Sequence, residues 1–505
     1  MLQIDGTSSQ TQPRDSERTR RAWLFYATAL LPALLLFVLH WGNLPRIEST
    51  DFAQYMMQAE SFLRGEGIMA SRYLFTDQNL IYGPKAYPPG LPLMLVPIIG
   101  VFGPSLLATK VLMLAFAIAF LLLAGHYFGS RYGVWAGVAV TLITGVALEA
   151  SYATQAPQSD LGFCAFVWAL IVLADTRKEW SWGRVLVITL LGLAALSFRT
   201  AGVVLVPALG LYALTRWRDL GIRGFVPVFL WGAAVLGAMS LVGSSIESAG
   251  MNALPQFARY RLAVFHAELY PFRVNVANDA YHAIGSLLVL VGLAAWLIQT
   301  RLRSFLVIFI ALYVVMIGFV KGSDDRYLWP AFPVLAFGLA YGARVVVKWL
   351  RGAWSEERLQ RVALAVVVVV SLVATVTAAL RPRPVSLLAL PDVQALFERV
   401  RQYDSDRSTR VVFVNARVMA WQTGVHTMPL FPGSSEQILT ELRRHRITHV
   451  VAGDLGILSP SNEQLEAAVR AMPERFVPEY RNRTFVLYRF VDRARGAAPD
   501  EAEQR

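Results

Sequence analysis

Five ionisable residues stand beside apolar segments of this chain, where charge is costly and is kept mainly for function. Asp51 opens DFAQYMMQAESFL, Lys85 lies in IYGPKAYPPGLP, and Asp160 follows the turn YATQAPQS. Arg199 sits in LSFRTAG and Arg326 in KGSDDRYLWPAFP. Two carboxylates and three cations suit an anionic lipid substrate. The cations would hold a phosphate, and a carboxylate would move a proton or hold sugar hydroxyls. Tyr55, Tyr82, Tyr87 and Tyr327 lie close to these charges in sequence and add phenolic groups. Each charge also has a purely structural reading. Asp51 and Gln54 have the spacing of a capping box, and Asp160 beside Ser159 is placed to cap the next helix. Arg199 can snorkel to lipid headgroups, and Arg326 has Asp324 and Asp325 as local partners.

The elements that must bring these residues together are membrane helices. Of 505 residues, 55% are hydrophobic and 16% charged, against roughly 25% charged in soluble proteins. This composition predicts an α-helical polytopic membrane protein. Apolar runs near 22–41, 105–127, 133–150, 159–174, 184–198, 200–214, 224–243, 284–299, 304–320, 328–347 and 361–380 predict eleven spans. The run LPLMLVPIIGVF (91–102) is short, holds two prolines and reads as a surface or re-entrant segment. With that run not crossing, basic turns at 131, 177–184, 216–223, 301–303 and 348–361 fall on the side of the basic tail 1–21. The positive-inside rule makes that side cytoplasmic, so the net charge of +12 calls for no nucleic acid. The one cysteine, Cys164, lies in an apolar run, which excludes disulfides and cysteine metal sites.

Residues 22–380 thus form a membrane domain whose outer segments 42–104 and 244–283 build the site. In the first, Phe52, Met56, Ala59 and Leu63 form one stripe, and Asp51, Tyr55, Gln58 and Phe62 the next. That spacing predicts a helix along the bilayer surface with Asp51 at headgroup depth. The second segment, with Tyr260, Arg261, His266 and Tyr270, is expected to cover the site. After RPRP (381–384), alternating helix and strand patterns over 381–492 predict a soluble α/β domain on the outer face. The polar end, 493–505, reads as disordered. The sequence shows no repeat, glycine-rich phosphate loop or metal-ligand spacing.

In order and spacing these segments resemble bacterial GT-C glycosyltransferases of the protein-O-mannosyltransferase and aminoarabinose-transferase group. The resemblance covers most of residues 20–350. It rests on STDFAQY, YPPGLPLMLVPIIGVFG, SYATQAPQSDL, LGLAALSFRTAGVVLVPAL and DRYLWPAFPVLA. The tail from 385 is similar to periplasmic α/β domains that such proteins append. Members often carry Asp-Glu where this chain has Asp51-Phe52, and one branch has an acid beside the lysine found here in GPKAYPP.

The resemblance implies inverting transfer of a sugar from a polyprenyl-phosphate donor to a hydroxyl on lipid, glycan or protein, at the periplasmic face of the bacterial inner membrane. It implies Asp51 as general base or acceptor-orienting group, with Asp160 assisting. Lys85, Arg199 and Arg326 become phosphate ligands, and Tyr55, Tyr82, Tyr87, His266 and Tyr327 substrate contacts. It leaves room for a divalent cation shared by Asp160 and Asp51, which two separated carboxylates do not require. Two other classes would also gather charge at a lipid interface. A transporter or flippase of a lipid-linked glycan should show broken spans and repeat symmetry. A non-catalytic envelope-assembly subunit would have no need of both acids.

Overall fold

The computed structural model describes residues 15–45, 50–67, 70–75, 87–150, 153–176, 179–242, 279–300, 304–318, 325–350, 355–380, 385–403, 408–453 and 460–492. Tyr82, Lys85, His266, most of the 244–283 segment and the end from 493 lie outside the described residues.

Up to Leu380 the described chain is helical. The first elements are α1 (Asp15–Ala29), α2 (Leu31–Leu39), α3 (Asp51–Leu63), α4 (Gly90–Phe102) and α5 (Leu106–Tyr132). They are followed by α6 (Val134–Ala150), α7 (Ser159–Thr176), α8 (Trp182–Phe198), α9 (Leu205–Thr215), α10 (Trp217–Leu220) and α11 (Val226–Val242). The series closes with α12 (Asp279–Thr300), α13 (Phe305–Gly318), α14 (Phe332–Leu350) and α15 (Glu356–Ala379). Among the described residues, six segments are long and apolar enough to cross a membrane: Ala22–Leu39, Leu106–Tyr132, Ser159–Thr176, Ala283–Thr300, Arg326–Leu350 and Glu357–Ala379. Leu35, Val111, Leu190 and Val369 are exposed on the outside of the bundle, as lipid contact requires. The chain is a multi-pass membrane protein.

Arg199 ends α8 in an extended conformation, and Thr200–Val204 forms a 3-10 turn that runs directly into α9. The pair Thr200–Thr215 and Trp217–Gly224 is bent by 88°, at the basic turn expected between the spans 200–214 and 224–243. One segment departs from the sequence reading, α3. It is buried on nearly every face, with Phe52, Gln54, Tyr55, Met56 and Gln58 all inside, rather than presenting one face to water. The C-terminal part of the chain meets it at Asp51, Phe52, Met57 and Glu60.

That part contains α16 (Pro391–Arg401), β1 (Arg410–Val412), α17 (Ala416–Thr423), β2 (His426–Met428) and α18 (Ser435–Arg444). It continues through β3 (His449–Gly453), α19 (Pro460–Ala471), β4 (Phe476–Arg481) and β5 (Phe485–Phe490). The sheet order is β2-β1-β3-β5-β4, with β2, β1 and β3 parallel and β5 antiparallel to both β3 and β4. Helices cover both faces, which is why β3 is apolar along its length rather than alternating. On one face Val411, Phe413 and Leu487 meet α16 and α17, and this core is continuous with that of the membrane helices. On the other, Val412, Val450 and Phe476 meet α18 and α19. The segment after α3 joins the sheet edge: Leu74 N–H donates to the Thr427 carbonyl at 2.8 Å, and Thr427 N–H to the Arg72 carbonyl at 3.0 Å. This is strand addition within one chain.

Candidate active site

Asp51 is the first residue of α3, after Thr50, whose side chain makes no capping bond. Both side-chain polar atoms of Gln54 are without a hydrogen-bond partner among the described residues, so no capping box forms. The Asp51 carboxylate is claimed by distant groups instead. Tyr87 Oη donates to Oδ1 at 2.6 Å, Arg417 Nη1 to the same oxygen at 2.8 Å, and Arg326 Nη2 to Oδ2 at 2.7 Å.

Each partner is delivered by a fixed piece of backbone. Arg326 comes from the 3-10 turn Asp325–Ala331. Tyr313 Oη pins that turn by donating to the Tyr327 carbonyl at 2.9 Å, and Trp168 Nε1 by donating to the Pro330 carbonyl at 3.0 Å. Arg326 pairs with Asp51, 275 positions away; the side chains of its expected local partners Asp324 and Asp325 lie outside the described residues. Tyr87 precedes Pro88 and Pro89, which restrict the backbone entering α4. Its ring meets that of Tyr55 edge-on, with centroids 5.2 Å apart.

Tyr55 leads to the second carboxylate. Its Oη donates to Ser159 Oγ at 2.8 Å, next to Asp160 at the start of α7. Asp160 is buried and ion-paired with Arg199. That pairing depends on close approach of α7 and α8: a Cβ on Gly162 would lie 2.2 Å from the Phe198 ring. Arg199 and Arg326 both stand near the Tyr327 ring, 4.9 and 5.9 Å from its centroid. The contacts thus close a ring through Asp51, Arg326, Tyr327, Arg199, Asp160, Ser159, Tyr55 and Tyr87.

All the expected site residues within the described part of the chain, namely Asp51, Tyr55, Tyr87, Asp160, Arg199, Arg326 and Tyr327, belong to this ring. Arg417 was missed by the sequence reading. It lies on α17, whose Trp421 Nε1 donates to Glu60 Oε1 at 3.2 Å and whose Trp421 ring meets Phe52 edge-on. Its one sequence signal is a lone arginine in the apolar stretch VNARVMAW.

The electrostatics follow from these distances. Burial pushes the Asp51 carboxyl up, but the charges of Arg326 and Arg417 and the Tyr87 bond outweigh it and bring it down to about 2. Burial, and then the Asp51 charge, raise the Tyr87 phenol well above its ordinary range, so it remains a donor. Among the described residues three guanidiniums, Arg199, Arg326 and Arg417, face the two carboxylates. Among the described residues no group of three or more His, Cys, Asp or Glu converges. Both carboxylates are already neutralised by arginine, a donor set that does not fit a divalent cation. A cleft of about 520 Å³ opens farther along α3, lined by Glu60, Leu63, Arg64, Pro104, Trp421 and Gln422.

No protein-family model and no curated protein matches the chain. Solved structures do. ArnT from Cupriavidus metallidurans bound to undecaprenyl phosphate matches 95% of this chain and 100% of its own, at 14% identity and a TM-score of 0.56. The same protein in the apo state matches 96% and 100%, at 13% identity and a TM-score of 0.58. The Archaeoglobus fulgidus oligosaccharyltransferase tethered with an acceptor peptide matches 95% of this chain and 75% of its own, at 10% identity and a TM-score of 0.55. Both neighbours are GT-C glycosyltransferases, and this chain has their fold.

Proposed function

We propose that the protein is an inverting glycosyltransferase that moves a sugar from a polyprenyl-phosphate-linked donor to a hydroxyl on a lipid, glycan or protein. The observation that carries this reading is the ring of two carboxylates and their arginines at one end of a GT-C bundle. The undecaprenyl phosphate bound to the ArnT neighbour supports the same donor class here.

In this reaction the acceptor hydroxyl attacks the anomeric carbon as the bond from that carbon to the phosphate oxygen breaks. The bonding pair leaves with the phosphate, which passes from one negative charge to two. Arg326, Arg199 and Lys85 hold the phosphate and gain interaction as its charge grows, so they favour the transition state over the ground state. The acceptor proton goes to Asp51. Asp160 holds sugar hydroxyls, as do the buried amides of Gln54 and Gln155, which have no hydrogen-bond partner among the described residues. Holding both substrates in line contributes roughly 7–11 kcal/mol.

The same proposal has eleven spans, a cytoplasmic N-terminus, and the C-terminal α/β unit in the periplasm of the bacterial inner membrane. The one-sided distribution of basic turns supports it. Reporter fusions after Lys348 should read cytoplasmic and fusions after Val385 periplasmic, and a cytoplasmic signal at 385 would contradict the topology. Mass spectrometry of lipids and glycans from a deletion strain should show one sugar missing from one acceptor. An unchanged envelope would count against the activity.

A further inference from the structure

The cleft of about 520 Å³ at the far end of α3 is built by two distant parts of the chain. Glu60, Leu63 and Arg64 come from the end of α3, and Pro104 from the turn between α4 and α5. Trp421 and Gln422 come from α17. Its size lies within the roughly 300–1,000 Å³ of small-molecule sites.

The charged groups in this cleft do not satisfy each other. Glu60 Oε1 accepts from Trp421 Nε1 at 3.2 Å, but Oε2 stands 3.9 Å from Arg64 Nη1, beyond hydrogen-bond distance. Arg64 is held by its other nitrogens: Nε and Nη2 donate to Glu66 Oε2 at 3.0 and 2.8 Å. A carboxylate oxygen that only accepts thus stands across a gap from a guanidinium nitrogen that only donates. A hydroxyl suits such a gap, because it accepts from the guanidinium and donates to the carboxylate at once. Water can do the same, so the other walls decide. Trp421 adds an indole, Leu63 and Pro104 add apolar surface, and Gln422 adds an amide that both donates and accepts. Hydroxyls around a ring with apolar faces are the chemistry of a sugar. A phosphate suits the cleft less well, since it would meet the Glu60 carboxylate. An extended peptide has no sheet edge to join at β2, which Arg72–Leu74 already occupies.

We propose that this cleft seats a sugar unit of the acceptor, and that the acceptor is therefore a glycan of several units. The inference rests on the transfer reaction proposed above and names its acceptor class. Along α3, Glu60 and Arg64 stand about 14–20 Å from Asp51 at 1.5 Å per residue. One sugar ring cannot touch both places, so the unit in the cleft is distinct from the unit whose hydroxyl reacts. Through Trp421 and Gln422 the C-terminal α/β unit takes part in acceptor choice.

The test uses full-length protein in nanodiscs, with polyprenyl-phosphate sugars extracted from a deletion strain as donor and the envelope fraction of that strain as acceptor. Trp421→Ala should raise the apparent KM for acceptor about thirtyfold, but it also releases α17. Glu60→Gln and Gln422→Ala leave an acceptor for the Trp421 bond and carry the test. Each should raise the acceptor KM about five- to tenfold, while kcat per folded molecule and the donor KM hold. A merely structural role would lower the folded fraction or move kcat and the donor KM instead. Acceptor KM within about twofold of wild type in both variants would overturn the cleft and leave the reaction standing. Sugar arriving on protein, or on a lipid that carries no glycan, would overturn the acceptor class in the same way. Wild-type protein that transfers nothing would remove both the reaction and this inference.

Discussion

Asp175 and Asp51 are both half-buried carboxylates, and the fold uses them in opposite ways. Near the end of α7, Asp175 accepts from Tyr127 Oη and Ser304 Oγ, each at 2.8 Å. It also accepts from the backbone N–H groups of Phe305 at 2.8 Å and Leu306 at 3.3 Å. This is a helix cap supplied from a distance: it satisfies the first donors of α13 and ties them to α5 and α7. Asp51 accepts from two guanidiniums and a phenol. Backbone donors at a helix start are fixed in place by the helix, whereas the guanidiniums reach Asp51 as side chains from two other elements. Asp160 lies at the other end of α7, about 22 Å from Asp175 at 1.5 Å per residue. The capping acid Asp175 and the arginine-paired acid Asp160 are therefore separated by the length of one helix.

The sharpest way to break this contrast is to exchange the consequences. Arg326→Ala should lower sugar transfer on the order of a hundredfold per folded molecule, as loss of a preorganised charge at the leaving group does. Transfer within threefold of wild type would remove Arg326 from the phosphate site. Asp175→Ala should do the reverse. Orphaned donors at the start of α13 should cost about 2–3 kcal/mol of stability, read by thermal unfolding, while turnover per folded molecule holds. Asp160→Asn keeps the shape and loses the charge opposite Arg199, and transfer should fall about tenfold. An unchanged rate would make Asp160 a partner for Arg199 and nothing more.

Smaller effects probe the docking of α17. Trp421→Phe removes the bond to Glu60 and should loosen α17 by about 1 kcal/mol, seen as faster amide exchange over 416–423. The pH dependence has a defined sign. The Asp51 carboxyl titrates at about 2 in the fold against an ordinary 3.8. Its contribution is therefore complete above about pH 4 and lost as pH falls toward 2. Exchange in α17 should rise across that acid window. Loosening between pH 7 and pH 5 would mean that a different group holds the contact.

How much of this could be read from the sequence varies with the range of the signal. The apolar runs each coincide with helix, because twenty residues of hydrophobicity constrain structure locally. Asp51, Asp160, Arg199 and Arg326 stand out for a similar reason: charge beside an apolar run is visible without knowing its partner. Partners are another matter. The Asp51–Gln54 spacing reads as a capping box because that pattern is local, yet the carboxylate is claimed from 275 and 366 positions away. The cap that a carboxylate does make, at Asp175, spans 130 positions to Phe305 and leaves no local trace. α17 escaped notice because eight residues, ARVMAWQT, are too few to show a helical period and follow directly on a strand. Arg417 was missed with it. The bend near 216, by contrast, was legible, because Arg216, Arg218, Asp219 and Arg223 interrupt the apolar runs there.

The central claim is that Asp51 takes a proton during transfer of a sugar from a polyprenyl-phosphate donor. Transfer by purified Asp51→Asn, normalised to folded protein, tests it most directly. An amide retains a hydrogen-bond acceptor for the arginines but cannot accept the proton, so turnover should fall on the order of a hundredfold or more. Turnover above about a tenth of wild type would contradict the claim and leave Asp51 as a tether between α3, Arg326 and Arg417.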